Sequence, residues 1–144
     1  DNWEKIKQEE KKESRESTMD GVPQNLPGLS SAQKIQQKAA SSGFDWDDSK
    51  EIRGKILEEL SEFESAETHE ELEEEFGDLL FSIVNMGRHN KIDPEKAMRN
   101  ANRKFISRFK SMEKLATQQG KTFSELPLKD QDDLWNQVKL QESK

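Results

Sequence analysis

The chain has 144 residues, enough for one domain and a tail, and only 30% of them are hydrophobic against 37% charged. So thin a core supply suits long amphipathic helices, or a protomer that completes its core by oligomerising. A formal net charge of -7 argues against duplex nucleic acid as the main partner, the absence of Cys excludes disulfides and thiolate metal sites, and no apolar run is long enough for a bilayer span.

The N-terminus is too charged for a signal peptide, which makes the cytoplasm the default compartment. There is no Tyr, and Glu, Lys, Gln, Leu and Ala dominate. These are helix formers, and no sustained apolar/polar alternation marks a strand. The expected fold class is all-α.

In chain order, residues 1–16 read as a charged helical tail and 17–28 as a linker, with Gly21, Pro23, Pro27 and Gly28 concentrated after Met19. A domain follows over 29–144. Its first helix is expected to start at Ser30 or Ser31 as N-cap and to stop at Gly43. Phe44, Asp45, Trp46 and Asp47 form a turn whose aromatics would pack on the bundle. The second helix runs from about Ser49 to Ala66. Thr68 caps the third, with Glu71 completing a capping box, and it runs to about His89. Asp93 and Pro94 start the fourth, which ends at Gly120. After a turn over Thr122–Leu128, a last helix spans about Asp130 to Gln141.

Chemistry concentrates in two carboxylate pairs: Glu59 with Glu62, and Glu75 with Asp78. At about 100° per residue, each pair at i, i+3 shares one helix face. On the second helix, with Ile52 at zero, Phe63, Ile56 and Leu60 fall within about 80°. Glu62 falls at about 280° and Glu59 at about 340°, at the edge of that apolar stripe. Glu58 lies farther out, at about 240°. On the third, with Leu72 at zero, Leu79, Ile83, Phe76 and Leu80 span about 340° to 80°. Glu75 sits at about 300°, Ser82 at about 280° and Asp78 at about 240°. The short connection makes the two helices antiparallel neighbours, so the four carboxylates converge. Such crowding raises carboxylate pKa values unless a cation is present. Oxygen-only donors select Mg²⁺, with Mn²⁺ as substitute, over Zn²⁺. The chemistry is then metal-assisted hydrolysis of a phosphoanhydride. The competing reading of any Glu run is a solvated acidic face.

On the fourth helix Arg108 falls inside the apolar stripe and Lys104 at its border. They could meet phosphate oxygens, or snorkel and pair with acids. Trp135 and Lys139 offer an aromatic plate and a cation at i, i+4, against simple core packing of the Trp. Trp3-x-x-Ile6-Lys7-x-x-Glu10 echoes Trp135-x-x-Val138-Lys139-x-x-Glu142.

Five stretches in order resemble the MazG family of all-α nucleoside triphosphate pyrophosphohydrolases. They are Ala32-Gln-Lys-Ile-Gln-Gln-Lys-Ala-Ala with Gly43-Phe-Asp-Trp, Lys55-Ile-Leu-Glu-Glu-Leu-Ser-Glu62, Glu73-Glu-Glu-Phe-Gly-Asp-Leu-Leu-Phe-Ser-Ile-Val-Asn85, Asn102-Arg-Lys-Phe-Ile-Ser-Arg-Phe109 and Trp135-Asn-Gln-Val-Lys139. The resemblance implies an antiparallel helical bundle completed by homodimerisation. It implies hydrolysis of nucleoside triphosphates to the monophosphate and pyrophosphate, with Mg²⁺ on Glu59, Glu62, Glu75 and Asp78. It also implies that Lys55, Glu58, Glu74, Lys104, Arg108, Trp135 and Lys139 serve substrate binding or catalysis. In that light Glu58 or Glu74 could orient the attacking water, and the cations would neutralise the triphosphate. Trp135 would stack on base or ribose, and Asn85 and Asn102 would bond the substrate or serve as buried structural amides. Gly77 is expected at a close helix contact. The echo at Trp3 would be the end of a preceding domain of the same kind. The alternative is a non-catalytic nucleotide-binding, dimerisation or regulatory module.

Overall fold

The computed structural model describes residues 2, 3, 6, 16–46 and 48–143. Asn2, Trp3 and Ile6 are helical, Glu16 is in a bend, and the rest of the expected tail helix and Asp47 lie outside the described residues. A 3-10 turn at Thr18–Gly21 precedes α1 (Gly28–Ser41), α2 (Ser49–Glu64), α3 (His69–His89), α4 (Pro94–Gln118) and α5 (Leu128–Glu142). There is no strand among the described residues. No helix among them is long and apolar enough to cross a membrane.

Two helices start earlier than their polar caps suggest. α1 begins at Gly28, not at a Ser30 or Ser31 cap, and α5 at Leu128, not Asp130. Pro27 and Pro127 occupy the cap positions with ψ of 151° and 154°. Proline holds the extended φ that a cap residue needs, and its carbonyl takes the first helical N–H. Ser31 N donates to Pro27 O at 2.8 Å, and Gln131 N to Pro127 O at 3.0 Å.

The helix ends follow the left-handed residue. At Gly43 (φ 92°) Phe44 N donates to Ala39 O, and at Gly120 (φ 73°) Lys121 N donates to Ala116 O. Both are six-to-one closures that satisfy otherwise orphaned carbonyls. Thr68 Oγ1 accepts from Glu71 N at 3.1 Å, while the Glu71 carboxylate accepts from Glu67 N at 3.0 Å. This is the expected capping box, with its second bond moved one residue outward.

The chain divides into two compact units, Asp1–Glu95 and Lys96–Lys144. In the first, α2 and α3 make the most extensive helix pair, with Phe63 and Phe76 rings 6.0 Å apart. α1 packs on another side of α3, where buried Gln36 donates through Nε2 to Phe81 O at 2.8 Å. The helix wheels expect the apolar stripes of α2 and α3 at the core. Yet among the described residues of this unit only Ile52 and Val84 are buried hydrophobics. Leu60, Phe76, Leu80, Ile83 and Met86 stay between 36% and 49% exposed. The second unit has its own core of Met112, Ala116, Leu134 and Val138, with Leu115, Phe123, Leu126 and Trp135 against it.

The loop between α1 and α2 is tied to the end of α3. Asp45 Oδ1 accepts from Arg88 Nη2 at 2.5 Å and from Trp46 N at 2.8 Å, and His89 Nε2 lies 2.9 Å away. Arg88 is oriented by two further bonds to Asn85 Oδ1, at 2.7 and 3.2 Å. The Arg88 hydrogen bond, ahead of the contributions of His89 and Trp46, holds Asp45 at a pKa of about 2, against an ordinary 3.8. A depressed carboxylate stabilises the fold above its unfolded pKa, and that contribution disappears as pH falls through the folded value. Asp45→Asn is therefore expected to cost about 1–2 kcal/mol at pH 7, allowing for partial solvent screening, and much less near pH 2. Urea unfolding midpoints at the two pH values check this.

Candidate metal centre

The α2–α3 seam collects three acidic groups. One carboxylate oxygen each from Glu59, Glu62 and Glu75 lies within 4.8 Å of the other two. Glu59 is buried, Glu75 half-buried and Glu62 exposed. The helix wheels explain the gradient, because Glu59 is the acid nearest the apolar stripe of α2. Asp78 is outside this tight group but lines the same cleft, and its charge acts on Glu75. The cleft, about 270 Å³, is walled by Trp46, Ile52, Lys55, Glu59, Asp78, Phe81, Ser82 and Asn85.

Two atoms stand out in this seam. Glu59 Oε2 and Glu75 Oε2 are buried and have no hydrogen-bond partner among the described residues. Unsatisfied buried carboxylate oxygens are costly, so they mark either strain or a ligand site. Desolvation raises the Glu75 pKa, helped by a hydrogen bond with Glu62 and by the charges of Glu62, Asp78 and Glu59. The other oxygen of Glu59 meets a cation: Lys55 Nζ sits 3.0 Å from Oε1, and that bond raises the Lys55 pKa. Lys55 also reaches Glu58 at 3.8 Å, but Glu58 is exposed. An all-oxygen cluster with two unsatisfied buried acceptors fits a hard divalent cation.

The remaining expected residues divide by unit. Glu74 is exposed on α3. Asn85 is 4% exposed and its carbonyl oxygen is committed to Arg88, which favours the structural-amide reading of its role. In the second unit Lys104, Lys139 and Asn102 are exposed. Arg108 binds Glu142 at 2.9 and 3.2 Å and lies over the Trp135 ring, 5.2 Å from its centroid. An acid on α5 therefore answers the Arg108 charge within the apolar stripe. A Cβ at Gly77 would meet nothing within 4 Å, so the expected close helix contact is absent among the described residues. Phe44 is 72% exposed and does not pack on the bundle as expected. Trp46, Phe81 and Ser82 are cleft residues with no site role assigned from the sequence. Ser82 carried a signal in its wheel position between Glu75 and Asp78, and Trp46 and Phe81 stand in stretches that carry the family resemblance.

Removing one charge from this cluster should relieve the metal-free protein. A carboxylate with a raised folded pKa destabilises the fold once ionised. Glu75→Gln is expected to raise the urea midpoint in EDTA at pH 8, with a smaller gain at pH 4.5. A lower midpoint at pH 8 would show that crowding is not a net cost.

Residues 29–105, just over half of the chain, match the phosphoribosyl-ATP pyrophosphohydrolase family. A Thermotoga maritima protein named nucleoside triphosphate pyrophosphohydrolase/pyrophosphatase MazG is 47% identical over 137 residues, covering 95% of this chain and 54% of that protein. The Escherichia coli K12 nucleoside triphosphate pyrophosphohydrolase is 39% identical over 146 residues, 97% of this chain and 56% of its own length. An uncharacterised Bacillus subtilis protein, YabN, is 45% identical over 142 residues, covering 96% of this chain and 29% of that protein. The chain thus spans about half the length of the first two relatives. With its all-helical fold and the acidic α2–α3 seam, the chain belongs to the phosphoribosyl-ATP pyrophosphohydrolase/MazG-like family.

Proposed function

We propose that this chain hydrolyses nucleoside triphosphates to the monophosphate and pyrophosphate with Mg²⁺, or Mn²⁺ in its place. The observation that carries the reading is the pair of buried, unpartnered oxygens on Glu59 and Glu75 within a three-carboxylate cluster. The names of the Thermotoga and Escherichia relatives support the substrate class.

On this reading Glu59, Glu62, Glu75 and Asp78 hold the cation. Bound there, Mg²⁺ would polarise the phosphoanhydride and acidify a water. The chain's own groups do the rest. Glu58 or Glu74 orients the attacking water and takes its proton as the bond between the α and β phosphates breaks. Lys55 neutralises phosphate charge, and Lys104, Arg108 and Lys139 are the further cations assigned to the triphosphate. Trp135 supplies a stacking face, already paired with Arg108. Asn102 is assigned to substrate through its amide, while Asn85, bonded to Arg88, is read as a structural amide. The cluster's solvent-exposed member, Glu62, leaves the site open to a polyphosphate from outside.

The half-exposed seam of Leu60, Phe76, Leu80, Ile83 and Met86 supports a homodimer, since a second copy would bury what one copy leaves wet. The Trp3 echo supports placing residues 1–16 at the end of a preceding domain of the same kind, 17–28 as linker and 29–144 as the catalytic domain.

Glu62→Ala and Asp78→Ala are expected to fold and to lose about 100-fold or more of Mg²⁺-dependent pyrophosphate release. Mg²⁺ should raise the Tm of the wild type, and less so that of either variant. Undiminished pyrophosphate release in both variants would remove the metal assignment. Phe76→Glu should convert a dimer to a monomer by light scattering, and a wild-type chain that runs as a monomer sinks the dimer.

A further inference from the structure

Trp46 is the wall shared by two clefts of the first unit. One is the carboxylate cleft, with Lys55, Glu59 and Asp78. The other, about 240 Å³ and almost wholly apolar in its lining, runs from Met19 and Gln36 past Phe44 to Arg88. Phe81 and Asn85 line both clefts as well. The placement of Trp46 therefore bears on the width of the carboxylate cleft.

That placement is not left to apolar packing. Trp46 belongs to the loop between Gly43, which turns the chain at φ 92°, and the Asp48 cap of α2, whose Oδ1 accepts from Lys50 N at 2.9 Å. Between those ends the Trp46 backbone N–H is held by Asp45 Oδ1. The same oxygen is held in turn by Arg88, and Arg88 by Asn85. Arg88 and Asp45 side chains are only 13% and 21% exposed. A charge-assisted bond of that burial is directional and hard to replace with water. Neither Asp45 nor Arg88 lines the carboxylate cleft, but each holds a residue that does.

We infer that Asp45 and Arg88 are positioning residues for nucleotide binding, acting through Trp46 and Asn85 on the width of the carboxylate cleft. The inference rests on the pyrophosphohydrolase reading for its ligand. It assigns to a pair given no site role from the sequence a control over substrate affinity and not over the chemical step. A latch that only stabilised the fold would lower Tm and the active fraction, and would leave the KM of the folded molecules unchanged.

The test compares wild type, Asp45→Asn, Arg88→Met and Arg88→Lys by pyrophosphate release with Mg²⁺ and the best substrate among the common nucleoside triphosphates. Binding of α,β-methylene ATP, which resists this cleavage, is titrated in parallel. The expected result is KM and Kd raised about tenfold in Asp45→Asn and Arg88→Met, with kcat within about twofold and partial recovery in Arg88→Lys. The Mg²⁺-induced rise in Tm should persist in all four proteins. The Trp46 emission, taken as the difference from each protein's Trp46→Phe counterpart, should shift to the red in the two disrupted variants. Unchanged KM and Kd, a loss confined to kcat, or an unshifted Trp46 emission would each overturn the positioning role while wild-type activity keeps the hydrolase reading intact. A wild type that binds the analogue without cleaving any triphosphate removes the hydrolase reading, and the Kd comparison then decides the latch. A wild type that neither binds nor cleaves removes both.

Discussion

The first unit is organised around a conflict in the α2–α3 seam. The apolar stripes that drive these helices together carry acids along their edges, so the packing that buries Ile52 also buries Glu59 and half-buries Glu75. Like charges brought within 4.8 Å of one another in a partly desolvated seam destabilise the fold. What holds the seam is everything around it: the Phe63–Phe76 ring contact, the Thr68 cap at the turn, and Lys55 against Glu59. Stability is supplied outside the cluster and given up within it, a distribution common at sites built for a ligand.

The second helix pair of this unit plays the opposite part. Where α2 meets α3 the polar groups are unsatisfied, but where α1 and its following loop meet α3 they are paired. Gln36 is bonded to a backbone carbonyl, and Asp45, Arg88, His89 and Asn85 share one network. The Gln36 carbonyl oxygen, buried without a partner among the described residues, is the exception on this side. α3 is thus a two-sided helix. With Leu72 at zero, Arg88 falls at about 160°, Phe81 at about 180° and Asn85 at about 220°. These three lie opposite the apolar stripe and next to Asp78. The carboxylate cleft opens where the two sides meet, which is why it has an acidic wall and an aromatic one.

Much of this was legible from spacing alone. Period 3.6 located α1 to α5, and the wheel ordered the acids by depth, with Glu59 innermost and Glu58 well outside. The same wheel set Asp78 somewhat apart, and Asp78 indeed stands outside the tight group of three. The misses have physical causes. A search for polar caps overlooked Pro27 and Pro127, which start helices through their carbonyls. Leu60, Phe76 and Ile83 have the right periodicity for a core, but periodicity says which face is apolar and not what covers it. Asp45 and Arg88 are 43 positions apart. No local pattern connects residues so distant, and only the α1–α3 contact brings them together. Spacing left Arg108 open between phosphate and an acid, because its partner in the structure, Glu142, lies on another helix.

Lys55 links these observations to the proposed activity. A chain of net charge -7 repels a polyphosphate at long range, so the approach depends on local positive charge. Yet in the structure Lys55, the cation that lines the carboxylate cleft, is spent on Glu59. The two needs are reconciled if the carboxylates find another counter-charge. Once Glu59 is satisfied from the cluster side, its pull on the Lys55 ammonium would weaken and leave that charge freer for phosphate at the same cleft mouth. Lysine suits this exchange better than arginine would, being a compact charge on a flexible stem with no bidentate geometry to give up. Filling the acidic cluster and freeing the cation would then be one event. A triphosphate arriving without a divalent ion would meet a cleft whose acids are bare and whose lysine is engaged, so the electrostatics themselves would select the metal-bound form of the substrate.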